Sequence, residues 1–438
     1  MNFELKAVTE PGERLVALAE EHAADFATRA DQHDRENTFV TENFDAMKES
    51  GFFGGCAPEQ FGGMGVDSVH DLTVAISRIA RGCGSTAISA NMHMVTVMIL
   101  TRQWRQATAS GDAMRAAGTQ MALTMLGKSQ IVMSVVGTER GGLTVVPSTE
   151  ATPTDGGYLI NGLKAFGTNS EYASSIIVML KTPSDDGSYQ LAMATVPQGA
   201  KGMEVKNNWD ALGMRGSGSH EIEFKDCFVP TPMVNVLAPL GPPPPDGWLS
   251  IALGNAPLIG ASLGIAEAAR DYIIELARTR KQKIYDKTLA ERPVTQMQVA
   301  EIEVGLTAAR SSLSRIALAF DEFLAREDAP EEEETDELIK EWQATKLVVN
   351  RAAVDIVDRA LTISGGSGYM SSSPLSRLYR DVRAGPFMQP YSPNEAPEFI
   401  GRVALGLDPY ADLREAVERI QEEARAAKSK ADGQKSDG

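Results

Sequence analysis

The chain has 438 residues, a formal charge of −17 and 43% hydrophobic residues, which together suggest a globular protein of about three domains with a core large enough to need no disulfide staples. A surface that negative repels phosphate backbones and anionic lipid and argues against nucleic acid or a membrane surface as partner. Three widely spaced cysteines, Cys56, Cys83 and Cys227, show neither zinc nor disulfide spacing and read as buried reduced thiols of a cytoplasmic protein.

The opening MNFELKAVTEPGERL lacks the apolar stretch of a signal peptide. In the helix that follows, Pro11 stands near the start, and Leu15, Leu18, His22, Phe26 and Ala30 recur at three- or four-residue spacing. Another, capped by Thr41, places Phe44 and Met47 on one face and stops at Gly51. After the glycine-rich GGCAPEQFGGMG, the segment from Asp71 to about Gln103 reads as a buried helix pair broken at Gly82 and Gly84. From about Ile131 to Val236 the period shortens to two. SIIVML reads as a strand buried on both faces, and TVVPSTEAT, YLING, YQLAMATV and HEIEF as half-buried strands. LGPPPPDG is a rigid linker, after which helical stripes return: one from Leu258 to Leu276, one from Val299 to Phe320 and one from Trp342 to Ala360. No run in the chain reads as the ~18 apolar residues of a membrane span. The acidic run Glu331 to Glu334 is expected to be a solvated loop, and the charged, alanine-rich C-terminal stretch a helix fraying into disorder. The expected fold class is α+β: an N-terminal helical domain (1–127), a β domain (128–240), a C-terminal helical bundle (247–407) and a charged tail (408–438).

Five scattered histidines offer no metal site, and neither a nucleophile elbow nor a phosphate-binding P-loop is present. GGSGY at 365–369 follows a helical stripe rather than a strand, so it is not a dinucleotide fingerprint; it reads either as a helix C-cap or as a place where a diphosphate meets backbone N–H groups.

Taken in order, PEQFGGMG, GTERGG, YLINGLKAFGTNSEYA, ALGMRGSGSHEIEFKDCFVP, ALTISGGSGY and LSRLYRDVRAG resemble successive segments of the acyl-CoA dehydrogenase family across residues 10–407. The resemblance implies a β-barrel-like middle domain, a C-terminal four-helix bundle, bound FAD and a homotetramer or homodimer. Carried over by position, it places Thr138 beside the flavin ring, with Phe166 and Thr168 on the ring's other side. It assigns Arg280, Gly365 and Gly366 to the diphosphate of a FAD held by a neighbouring subunit. A guanidinium and free N–H groups suit a diphosphate, and an aromatic ring suits a flavin face. Lys283 and Ile284 stand where an aromatic residue and a glycine usually follow the arginine.

Abstraction of a proton next to a thioester needs a base. The resemblance puts that base eight residues after Asp381, at Gln389, and an amide cannot take a proton. An alternative family position falls near Gly254, and an arginine that assists coenzyme A falls near Asn255. Glu395 is the alternative base considered, with Glu398 beside it, although both also suit the first turn of a helix. Asp381 reads as an arginine partner, and His93 as either a pocket-facing or a core histidine.

Three readings follow. In the first, the chain dehydrogenates an acyl-CoA or other acyl-thioester with a moved base, passing electrons to an electron-transfer flavoprotein or to oxygen. In the second, it is a reduced-flavin-dependent monooxygenase of the same fold, a reading weakened by the lack of histidine after His220. In the third, it performs other acyl-CoA chemistry without dehydrogenation, or binds without turnover.

Overall fold

The protein, a computed structural model, is described over residues 3–326 and 331–436. Six helices come first: α1 (Glu10–Phe26), α2 (Ala30–Glu36), α3 (Thr41–Glu49), α4 (Val69–Gly82), α5 (Gly84–Ser110) and α6 (Ala113–Gly127). Eight strands follow: β1 (Met133–Val136), β2 (Glu150–Thr154), β3 (Gly157–Gly167), β4 (Ser175–Pro183), β5 (Tyr189–Pro197), β6 (Met203–Val205), β7 (His220–Pro230) and β8 (Val234–Pro239). The rest comprises α7 (Pro245–Asn255), α8 (Leu258–Thr279), a ribbon of β9 (Lys281–Gln282) and β10 (Lys287–Thr288), α9 (Pro293–Leu324), α10 (Glu332–Ser364), α11 (Pro374–Asp381), α12 (Glu395–Ala404) and α13 (Ala411–Ser436). The class is α+β, as the sequence implies.

The chain folds as two compact units: Met1–Gln130, Asp210–Ser217 and Leu249–Gly401 form one, and Ile131–Trp209, Gly218–Trp248 and Arg402–Gly438 the other. In the helical unit, the N-terminal helices and the C-terminal bundle share one core. Asp321 of α9 caps α4: its carboxylate accepts from Ser68 Oγ and from the Val69 N–H, each at 2.6 Å, which satisfies a helix end that would otherwise be orphaned. Gly264 lets α8 lie directly on α4, since a Cβ there would come within 2.0 Å of the Ser77 carbonyl oxygen. Buried Glu267 of α8 then accepts from Arg81 of α4 at 2.7 Å and Arg310 of α9 at 2.8 Å.

In the β unit the strands run in the order β6-β7-β3-β2-β4-β5-β8, with β1 pairing in parallel against β4. Strands β6 and β8 end this path and no pair joins them among the described residues, so the sheet is open rather than the expected barrel. Ile160, Ile176, Val178, Leu180, Val196 and Phe224 fill its core.

Several sequence expectations are corrected. Strand β4 alternates strictly between buried and half-buried residues, so SIIVML buries one face rather than two. Val40, not Thr41, is the N-cap of α3, and no side chain caps it. Glu332, Glu333 and Glu334 form the first turn of α10 rather than a loop, where the helix dipole favours carboxylates. Taken as one rod, Pro245–Thr279 is long and apolar enough to cross a membrane; 78% of its most apolar window is buried inside the protein, as in a core helix. The expected tail is helix α13, packed on the β unit: Val417 joins Leu191 and Leu240 in a small apolar cluster. Gln421 accepts from the Tyr189 N–H at 2.6 Å and donates to its carbonyl at 2.8 Å. The three cysteines are buried and free.

Candidate functional site

In the β unit, a buried ion pair sets the local geometry. Lys164 on β3 donates to Glu139 at 2.6 Å, and Glu139 also accepts from the Ser148 N–H at 2.6 Å and the Thr149 N–H at 2.9 Å. Burial works against ionisation of Glu139, but the bonds from Lys164, Ser148 and Thr149 outweigh it and hold its pKa down at about 2. This pair locks the 138–139 segment against β3. The Ala165 N–H reaches the Thr138 carbonyl at 2.9 Å, so Thr138 lies against the strand end that carries Phe166 and Thr168.

Phe166 adopts φ +58°, a left-handed conformation that is costly for an aromatic residue and collects at functional positions. Its ring is 58% exposed and meets Trp209 edge-on at 5.9 Å between centroids. The Trp209 N–H donates to His220 Nδ1 at 2.9 Å, and the other ring nitrogen of His220 lies 3.4 Å from Glu171. The Thr168 and Ser219 hydroxyls are 2.9 Å apart. Trp209, Ser219 and His220 were not foreseen as neighbours of Phe166, because they reach it through the β3–β7 pairing and a loop rather than through local spacing.

In the helical unit, Arg280 and the glycine pair also come together. The Arg280 guanidinium donates to the Ser364 carbonyl at 2.8 Å and to Ser367 Oγ at 2.6 Å, bracketing Gly365 and Gly366. Gly365 takes φ +64°, and a Cβ on either glycine would meet nothing within 4 Å. The turn is thus open above its backbone, the form a diphosphate cradle requires. Gln389 lies exposed on the loop before α12. Glu395 accepts from the Ser392 N–H at 2.8 Å, so its carboxylate is engaged at the start of α12. The pairs Gly254–Asn255 and Asp381 lie elsewhere in the chain: a Cβ at Gly254 would meet nothing within 4 Å, and Asn255 Nδ2 donates to the Ile251 carbonyl of its own helix at 2.8 Å.

Models of the acyl-CoA dehydrogenase N-terminal domain, middle domain and C-terminal domain match residues 10–104, 117–227 and 258–388. The chain belongs to the acyl-CoA dehydrogenase family. It is an enzyme of that family's flavoprotein oxidoreductase type, and FAD is the family's cofactor. It is 31% identical to the amino sugar nitrososynthase RubN8 of Streptomyces rubradiris over 92% of both chains. It is 32% identical to the amino sugar nitrososynthase DnmZ of Streptomyces peucetius, covering 91% of this chain and 94% of that protein. The structure of KijD3 in complex with FMN and dTDP-3-amino-2,3,6-trideoxy-4-keto-3-methyl-D-glucose superposes with a TM-score of 0.85 at 30% identity, covering 92% of this chain and 96% of that one.

Neither Gln389 nor Gly254 carries a carboxylate. Asp381 is buried, accepts from the Met214 N–H at 2.6 Å and lies 3.5 Å from Arg377, which makes it a structural anchor. His93 is fully buried beside Phe53, with its ring nitrogen 3.1 Å from the Phe53 carbonyl. Burial pushes its pKa down to about 4 against that bond, so it stays neutral at ordinary pH.

Proposed function

We propose that this chain is a flavin-dependent monooxygenase that oxidises the nitrogen of an amine, with an amine-bearing, nucleotide-linked sugar as substrate class. The observation that carries this reading is the uncharged pair Gln389 and Gly254 at the two positions where the family resemblance puts a proton-abstracting carboxylate. The likeness to nitrososynthases over nearly the whole chain supports it. A bound reduced flavin, FAD or FMN, would supply electrons to dioxygen. The protein's part is to stack the ring against Phe166, contact it through Thr138 and Thr168, hold a diphosphate over Arg280, Gly365 and Gly366, and exclude water from the reacting atoms. The amine brings its own lone pair, so no base is asked to break a C–H bond. Conversion of the amine to a hydroxylamine takes one O₂ and two electrons with two protons and releases one water; a second such round and loss of water give the nitroso group. In this reading the enzyme is a cytoplasmic homo-oligomer.

The test supplies purified protein with flavin, a flavin reductase, NADH, oxygen and a dTDP-amino sugar, and follows product mass and oxygen uptake. The expected result is an oxidised-nitrogen product. Rapid anaerobic bleaching of the flavin by a saturated acyl-CoA, abolished by Glu395→Gln, would overturn the proposal in favour of a dehydrogenase with a moved base.

A further inference from the structure

We propose that Lys346 is a positioning residue that seats the segment carrying Gln389; this rests on the reading that the segment borders the reaction site. Lys346 belongs to a polar stripe on α10 with Gln343 and Asn350, at three- and four-residue spacing, all buried. Such positions on a core helix ordinarily go to apolar residues, as Trp342, Val349 and Ala353 around them show. The Lys346 ammonium donates to the Met388 carbonyl and, at 2.7 Å, to the Tyr391 carbonyl. These two acceptors flank Gln389 and Pro390. Among the described residues no carboxylate pairs with Lys346; Glu395 acts on it from a distance, and burial brings its pKa down to about 8.

The same stripe meets the segment a second time. At Gly385 a Cβ would come within 2.4 Å of Asn350 Oδ1 and 2.3 Å of Ser262 Oγ from α8. The backbone is thus pressed onto polar groups of α8 and α10 at one end and tied to a cation at the other. Phe387 and Gln389 are exposed, while Tyr391 beyond them stacks on Phe399 at 5.0 Å, so the lysine's two bonds and this ring contact fix the segment around Gln389. A buried cation is costly unless its donors are used, and here they are spent on fixing a loop. Displacement of a reaction-site wall by an ångström can cost rate by orders of magnitude.

The experiment compares the flavin-loaded native protein with Lys346→Met, which keeps the length and loses the donors, and Lys346→Arg, which keeps donors and charge. Hydrogen exchange of peptides covering 386–394 reports the segment directly. Product formed per oxygen consumed, with KM and kcat for a dTDP-amino sugar, reports the chemistry. In Lys346→Met, exchange should rise locally, and product per oxygen should fall about tenfold or more at unchanged flavin content. Lys346→Arg should recover most of both. If Lys346→Met folds and exchange over 386–394 is unchanged, Lys346 does not hold the segment and the inference fails. If Lys346→Met does not fold, Lys346→Arg decides: native exchange supports the inference, and loosening throughout the helical unit overturns it. If the segment loosens while coupling, KM and kcat stay native, the segment does not border the reaction site, and the functional role falls with the reading beneath it.

Discussion

Gly366 and Glu139 show how single side chains bear on the proposed site. Gly366 has open space above it, so Gly366→Asp should fold normally and fail only by bringing a carboxylate against a diphosphate. The expected outcome is a colourless protein with the thermal stability of flavin-free native protein, read from flavin absorbance and calorimetry; full flavin retention would reduce the turn to a helix cap. Glu139 is different, because it neutralises a cation with no route to water. Glu139→Gln strands Lys164 and should destabilise the β unit by about 3–5 kcal/mol, measured by denaturant unfolding, while the double variant with Lys164→Met should recover part of the loss. The pH dependence follows from the sign. The Glu139 pKa is lower in the folded state than its ordinary 4.5, so its stabilisation is complete above about pH 4.5 and fades as pH falls toward about 2. Sequence motifs carried both Glu139 and Lys164, in GTERGG and NGLKAFGTN, but only the fold showed that they meet. Lys346 left a fainter trace: polar Gln343, Lys346 and Asn350 beside the apolar residues Trp342, Val349 and Ala353 of α10.

At the scale of elements, the sequence was legible where one face of a helix or strand decides the outcome. The helix stripes from Leu258, Val299 and Trp342 became core over most of their length, with Tyr272, Leu276, Val299 and Ala352 only half-buried, and the break at Gly82 and Gly84 falls between α4 and α5. It was misleading where a partner far along the chain decides. Nothing local says that α13 will dock: its sequence is charged, and Leu413, Val417, Gln421, Arg425 and Lys428 contact the β unit only along one side. Gln421→Ala should leave the N–H and carbonyl of Tyr189 without these partners, cost about 1–3 kcal/mol, and raise hydrogen exchange in β5 first. Native exchange in β5 would show that Leu413 and Val417, with the Arg425 and Lys428 contacts to Asp186 and Asp185, hold α13 without Gln421. The open sheet was missed for a related reason, since alternation specifies strands but not whether the two end strands meet.

For the whole molecule, the two halves of the proposed flavin site can be tested by complementation. If Phe166 and the Arg280–Gly366 turn serve one flavin from different subunits, Phe166→Ala and Gly366→Asp proteins, refolded together, should regain flavin at about a quarter of the sites. Half of random pairs are mixed, and each mixed pair holds one intact site. No recovery, with mixed oligomers demonstrated, would place both halves in one subunit. The interleaved chain also has a consequence for synthesis. Both units draw on segments that lie far apart in the chain: the helical unit joins Met1–Gln130 to Leu249–Gly401, and the β unit joins Gly218–Trp248 to Arg402–Gly438. Emerging at about 5–20 residues per second, the nascent helical unit waits for Asp321 to add to the local Ser68 cap of α4, and β5 waits a comparable time for α13. Apolar faces of α4 and β5 therefore stay uncovered on the ribosome for tens of seconds, which makes this a chain whose yield should depend on chaperone supply and growth temperature more than its finished stability would suggest.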